Sequence, residues 1–101
     1  ALTLDVMCYC AQPVTLALGM LTVAEDGKTA FYETRSVTLN KGANPGVRFD
    51  LRGRDLRCEA SGWRYEAGLD DLGAVKRITL LFYMERRGFM YVDNVALAGK
   101  P

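Results

Sequence analysis

Residues 2–8 read LTLDVMC. Leu2, Leu4, Val6 and Cys8 alternate with Thr3, Asp5 and Met7. A strand turns successive side chains to opposite faces, so a period of two predicts a β-strand with one face in a core. The same period recurs along the chain. Val14, Leu16, Leu18 and Met20 alternate with Thr15, Ala17 and Gly19. Val47, Phe49 and Leu51 alternate with Arg48 and Asp50, and Ile78, Leu80 and Phe82 with Thr79, Leu81 and Tyr83. The segment 30–39, AFYETRSVTL, changes phase midway, which predicts a bulge or bend.

Turn signals separate these runs. EDGK at 25–28 holds the Asp-Gly pair of tight hairpins, NKGANPG at 40–46 reads as a looser turn, and ERRG at 85–88 reads as the last hairpin. About six strands follow, with one helical turn expected within 69–75. The class is all-β, an antiparallel β-sandwich. The long mixed stretch 52–68, RGRDLRCEASGWRYEAG, carries the only Trp and reads as a functional or mobile loop.

Residues 88–97, GFMYVDNVAL, break the pattern by placing Asp93 and Asn94 inside an apolar strand. Such residues cap local backbone at a bulge, bind a cation, or anchor a bend. Local capping is the expected role, ahead of metal binding, with catalysis by Asp93 last.

The totals bound the function. A chain of 101 residues fits one small domain, expected to span 1–101. Thirteen Lys+Arg against twelve Asp+Glu leave a net charge of +1, which argues against a nucleic-acid or membrane-surface role. No apolar run reaches membrane-spanning length. No leader precedes the first strand-like run, so the chain reads as an excised domain or a mature segment. Cys8, Cys10 and Cys58 allow one bridge from Cys8 or Cys10 to Cys58, or three free thiols. With no His and this Cys spacing, a zinc site is not expected.

Catalytic chemistry has little to work with. The absence of His removes the Ser-His and Cys-His nucleophile pairs, and no phosphate-binding glycine loop is present. Glu33, Asp50, Glu59, Glu66 and Glu85 are candidates for a carboxylate pair, but charged residues alternating on strands usually mark a solvated face. A non-enzymatic role is expected.

Binding chemistry fits better. Sugar rings have apolar C–H faces edged by hydroxyls, so their binders combine flat aromatic rings with planar polar groups. Trp63, Tyr65, Tyr83, Tyr91 and Tyr32 are the candidate platforms, and Arg48, Asp50, Arg64 and Glu33 the candidate readers. The alternation turns Arg48, Asp50, Tyr83 and Tyr91 each away from the core face of its own strand. Each has a plainer reading: Tyr83 and Tyr91 as a cross-strand pair, Trp63 as a plug holding loop 52–68 on the core edge. Arg52, Arg54, Arg57 and Arg64 either solubilise that loop or attract an acidic polysaccharide.

The order LTLDV, QPVTLALGM, SVTLNKG, Asn44, VRFDL, AVKRITLLFYM and GFMYVDNVAL resembles the jelly-roll β-sandwich carbohydrate-binding modules attached to polysaccharide-degrading enzymes. The likeness covers nearly the whole chain, and its most specific element is YVDNVAL. It implies a jelly-roll-like fold and non-catalytic polysaccharide binding in a shallow cleft. It also implies an attached glycoside hydrolase or lyase as partner and a secreted or extracellular location. In such modules the Asp matching Asp93 often helps hold a structural calcium ion. A further acidic strand usually precedes the LTLDV position, and this chain starts after it, so no cofactor is expected beyond that possible calcium. The alternative is a structural or protein-interaction β-sandwich without its own ligand, using an open strand edge.

Overall fold

The computed structural model describes residues 1–11, 13–69, 72–84 and 88–97. Among them the chain forms seven strands: β1 (Leu2–Cys10), β2 (Val14–Val23), β3 (Thr29–Glu33), β4 (Val37–Leu39), β5 (Gly42–Phe49), β6 (Val75–Met84) and β7 (Gly88–Leu97). They build two mostly antiparallel sheets. One has the order β5-β1-β7. In the other, β2 pairs with β3, β4 and β6. The only other regular elements among these residues are two short 3-10 turns, Glu59–Ser61 and Leu72–Ala74. The helical turn expected within 69–75 is this second one, although residues 70 and 71 lie outside the described residues.

The chain separates into two compact units. The first comprises Ala1–Leu16, Val37–Asp50 and Phe82–Pro101, and the second Ala17–Ser36 and Leu51–Leu81. The first unit buries Leu2, Leu4, Val6, Cys8 and Cys10 along β1, together with Val14, Leu16, Leu39 and Phe49. The alternation predicted for β1 is present in full. The second unit buries Ala17, Leu18, Met20, Leu51, Leu56 and Cys58. All three cysteines are buried free thiols.

Three departures from simple alternation have physical causes. Along β2, Ala17 and Gly19 are buried as well as Leu18 and Met20, and at Gly19 the Phe31 ring is the cover, lying where a Cβ would overlap it. The phase change in 30–39 divides the segment into β3 and β4. β2 pairs with β3 down to Gly19↔Glu33 and with β4 from Leu16↔Val37, so residues 34–36 stand against 17 and 18. One extra residue is the count of a β-bulge. Thr34 stabilises it: its N–H donates to the Leu18 carbonyl at 2.9 Å, and its Oγ1 accepts the Leu18 N–H at 2.9 Å. The looser turn expected at 40–46 is mostly strand. β5 begins at Gly42, and the buried Asn44 side chain ties the chain there by accepting the Asn40 N–H at 2.7 Å and donating to the Asn40 carbonyl at 2.8 Å.

The last hairpin is corrected. β6 pairs with β2 and β7 with β1, so the strands flanking ERRG belong to different sheets. Residues 85–87 lie outside the described residues. The alternation over 78–83 does not sort by burial either: Ile78 is exposed, whereas Leu81 is half-buried with its Cδ1 close to Gly19.

Candidate functional site

The interruption at Asp93-Asn94 is a bulge held by a residue from another strand. β1 pairs with β7 through Thr3↔Ala96 and then Asp5↔Asp93, so Leu4 faces both Asn94 and Val95. On the other side of β1, Leu4↔Val47 is followed by Val6↔Asn44, so Asp5 faces both Pro45 and Gly46. Each bulge holds one left-handed residue, Asn94 at φ 54° and Gly46 at φ 62°. The Asp5 carboxylate joins the two. Its Oδ1 accepts the Gly46 N–H at 2.8 Å and its Oδ2 accepts an Asn94 Nδ2 hydrogen at 2.7 Å. Asp93 accepts the Asn94 N–H at 2.8 Å, the local capping role expected from the sequence. The bonds from Asn94 and then Gly46 hold the Asp5 carboxyl below its usual value of 3.8. Among the described residues no cluster of three or more His, Cys, Asp or Glu is arranged to hold a metal ion.

The candidate binding residues fall into separate places. Arg48 and Tyr91 share the three-stranded sheet but flank β1 on opposite sides, opposite Thr3 and Met7. Strand geometry puts them roughly 16 Å apart. Asp50 is exposed just beyond the end of β5. Tyr83 is on β6, in the other sheet, where it lines a hollow with Pro13, Thr15, Phe82 and Met84. The aromatic partner of Tyr91 is Tyr9, edge to face, with centroids 6.0 Å apart. Phe89 sits opposite Tyr9, and the three rings are 66%, 52% and 75% exposed for Tyr91, Tyr9 and Phe89. Tyr9 and Phe89 were not among the expected site residues. The signal was there, since both occupy the non-core phase of their strands, but their adjacency depends on register.

Trp63 and Tyr32 do come together. They line a groove of about 560 Å³ in the second unit, with Phe31, Cys58, Glu59 and Ala60 among its other walls. Loop 52–68 is tied down beside it. Glu33 and Arg57 exchange two backbone hydrogen bonds of 2.9 Å each, and Leu56 and Ala67 exchange another two. The Glu59–Ser61 turn ends in a Schellman closure: Gly62 N–H donates to the Glu59 carbonyl and Trp63 N–H to the Cys58 carbonyl, both at 2.9 Å. Ser61 Oγ accepts the Cys58 N–H at 3.1 Å and donates to the Arg64 carbonyl at 2.7 Å. Trp63 itself is left-handed, φ 62°, and half of its surface is exposed. A bulky side chain in that region is strained by about 1–3 kcal/mol.

Tyr65 lies outside this groove. The guanidinium of Arg35 lies 4.4 Å from its ring centroid and that of Arg57 lies 5.2 Å away. Each cation has its own carboxylate, Arg35 with Asp55 at 2.7 Å and Arg57 with the buried Glu33 at 2.5 Å. The ring is thus part of a cation–π stack, and both of the cations on it are already matched by carboxylates. Arg64 lies 3.7 Å from Glu66. Glu85, a candidate carboxylate, lies outside the described residues.

Compared with known protein families, curated proteins and solved structures, the chain matches none.

Proposed function

We propose that this chain is a non-catalytic carbohydrate-binding module of a jelly-roll-like β-sandwich type, attached to a secreted glycoside hydrolase or lyase. A polysaccharide chain lies in the shallow groove of the second unit, stacked on Trp63 and Tyr32. The observation that carries the reading is Trp63. A large aromatic side chain is held half-exposed on a groove wall by a left-handed backbone that a glycine would fill without strain. Strain of that kind persists where the surrounding structure enforces it, and such positions cluster at ligand sites. Stacking on the indole face would hold the apolar side of a pyranose, and tethering would raise the substrate concentration at the attached enzyme.

The test is affinity electrophoresis on gels containing β-glucan, xylan, mannan, agarose, alginate or pectin, each with calcium and with chelator. Retardation on one glycan class is expected, and Trp63→Ala or Tyr32→Ala should abolish it while Tyr83→Ala and Tyr91→Ala retain it. Loss in Tyr91→Ala alone would move the site to the β1–β7 face. A folded chain retarded by no gel would end the carbohydrate reading.

One observation favours a second reading, a protein-interaction domain. β7 is an edge strand whose Phe89, Tyr91, Val92, Val95 and Leu97 are all exposed. An apolar edge of this length offers both unpaired backbone and side chains to a partner strand.

A further inference from the structure

The groove has a charge character as well as an aromatic one. Among the described residues that line it, Glu59 is the one charged side chain and none is cationic. Beside it, the guanidinium of Arg57 in loop 52–68 is committed to Glu33 and that of Arg35, from the β3–β4 link, to Asp55, and both also stack on Tyr65. Arg64, next in sequence to Trp63, is within 3.7 Å of Glu66. Among the described residues, three aromatic walls, Phe31, Tyr32 and Trp63, therefore stand with one carboxylate and no positive charge.

That combination selects among sugars. The face of an aromatic ring carries negative potential and attracts a cation. A carboxylate beside it adds an ion pair. A uronic acid would bring its own carboxylate next to Glu59, and like charges brought together are penalised. A neutral hexose would stack but gain nothing from Glu59 beyond a hydrogen bond. We infer that the groove prefers amino sugars with a free, protonated amine over neutral, N-acetylated or acidic ones. This rests on the reading of the groove as a carbohydrate site and names the class of sugar it takes. It also runs against the expectation, drawn from the arginines of loop 52–68, of an acidic polysaccharide.

The backbone around Glu59 suits this role. Glu59 opens the Glu59–Ser61 turn, which Ser61 and the Schellman closure hold from both ends. Phe31 is held from behind, since its ring fills the space that a side chain at position 19 would need.

The experiment is a Trp63 fluorescence titration with four oligosaccharides of equal length: glucosamine, N-acetylglucosamine, glucose and galacturonic acid. The glucosamine oligomer should bind about tenfold tighter than the N-acetylated one, since an exposed cation–π contact and an exposed ion pair each contribute about two- to fivefold. Glu59→Gln, at an exposed turn position, should fold normally and shrink that preference to about threefold, and added salt should do the same to the wild type. Equal or tighter binding of the neutral, N-acetylated or acidic oligomer would overturn this inference and leave the carbohydrate reading standing. Equal preference in Glu59→Gln and wild type would remove Glu59 from it. Failure of a folded chain to bind any of the four, with no retardation on the glycan gels, would overturn both.

Discussion

Trp63 and Asp5 are the two residues whose roles rest on unusual backbone. Trp63 sits at φ 62°, where a Cβ is itself the source of strain. Truncation to Ala removes the indole but keeps the Cβ, whereas Gly removes both. Trp63→Gly should therefore be more stable than Trp63→Ala by about 1 kcal/mol, the reverse of the order in ordinary strands. Thermal melts of the two variants decide this, and an Ala variant as stable as Gly would mean the backbone relaxes. Asp5 receives hydrogen bonds from Asn94 and Gly46 that favour its ionised form, so its folded pKa lies below the usual 3.8. A lowered carboxyl pKa contributes stability that is fully present above 3.8 and fades as pH falls through the folded value. Asp5→Ala should lower the melting temperature at neutral pH, and the gap to wild type should close in acid. A gap independent of pH would show that the carboxylate charge is not what holds the bulges. Asp5 was legible only as an ordinary outward residue of β1, because its partners lie 41 and 89 positions away.

At the scale of elements, irregularities carry more information than the regular ladders. The bulge between β3 and β4 depends on the Thr34 hydroxyl, which accepts the buried Leu18 N–H and donates to the Arg35 carbonyl at 3.0 Å. Thr34→Val keeps the shape and removes the acceptor, leaving that N–H unsatisfied. A loss of about 1–3 kcal/mol is expected in urea unfolding, with Thr34→Ser retaining most of the stability. Equal stability of the Val variant would mean that the register can slip to repair the ladder. The sequence announced this bulge through the change of phase in 30–39. The EDGK hairpin was equally readable. Gly27 is left-handed at φ 85°, Asp26 Oδ1 accepts the Lys28 N–H at 2.9 Å, and β2 and β3 pair on either side. The ERRG hairpin was misread because a tight-turn composition tells only that the chain reverses or bends. It does not say whether the next strand returns to its neighbour or joins another sheet.

At the scale of the whole molecule, β7 is the open question in the surface. It lies at the edge of the β5-β1-β7 sheet, and exposed apolar residues line both its faces. Edge strands left in this state tend to pair with another chain. Val95→Lys should suppress concentration-dependent association in sedimentation while leaving the melting temperature nearly unchanged and glycan retardation intact. Unchanged association in that variant would remove β7 from the interaction reading, and lost retardation would draw β7 into the glycan site.

The recurrence of large apolar residues at every second position in LTLDVMC and VTLALGM was enough to establish an all-β chain, because the period of two is a local property of extended backbone. The capping of Asn94 by Asp93 was legible for the same reason, being a contact between neighbours in sequence. Which strands share a sheet, and so which aromatics share a surface, was not. Tyr91 meets Tyr9 instead of Tyr83, and Tyr65 stacks with two arginines. Trp63 joins Tyr32 across 31 positions of chain. These adjacencies depend on strand order and on single-residue register shifts. Both are settled by the total free energy of packing and hydrogen bonding, to which no local pattern has access.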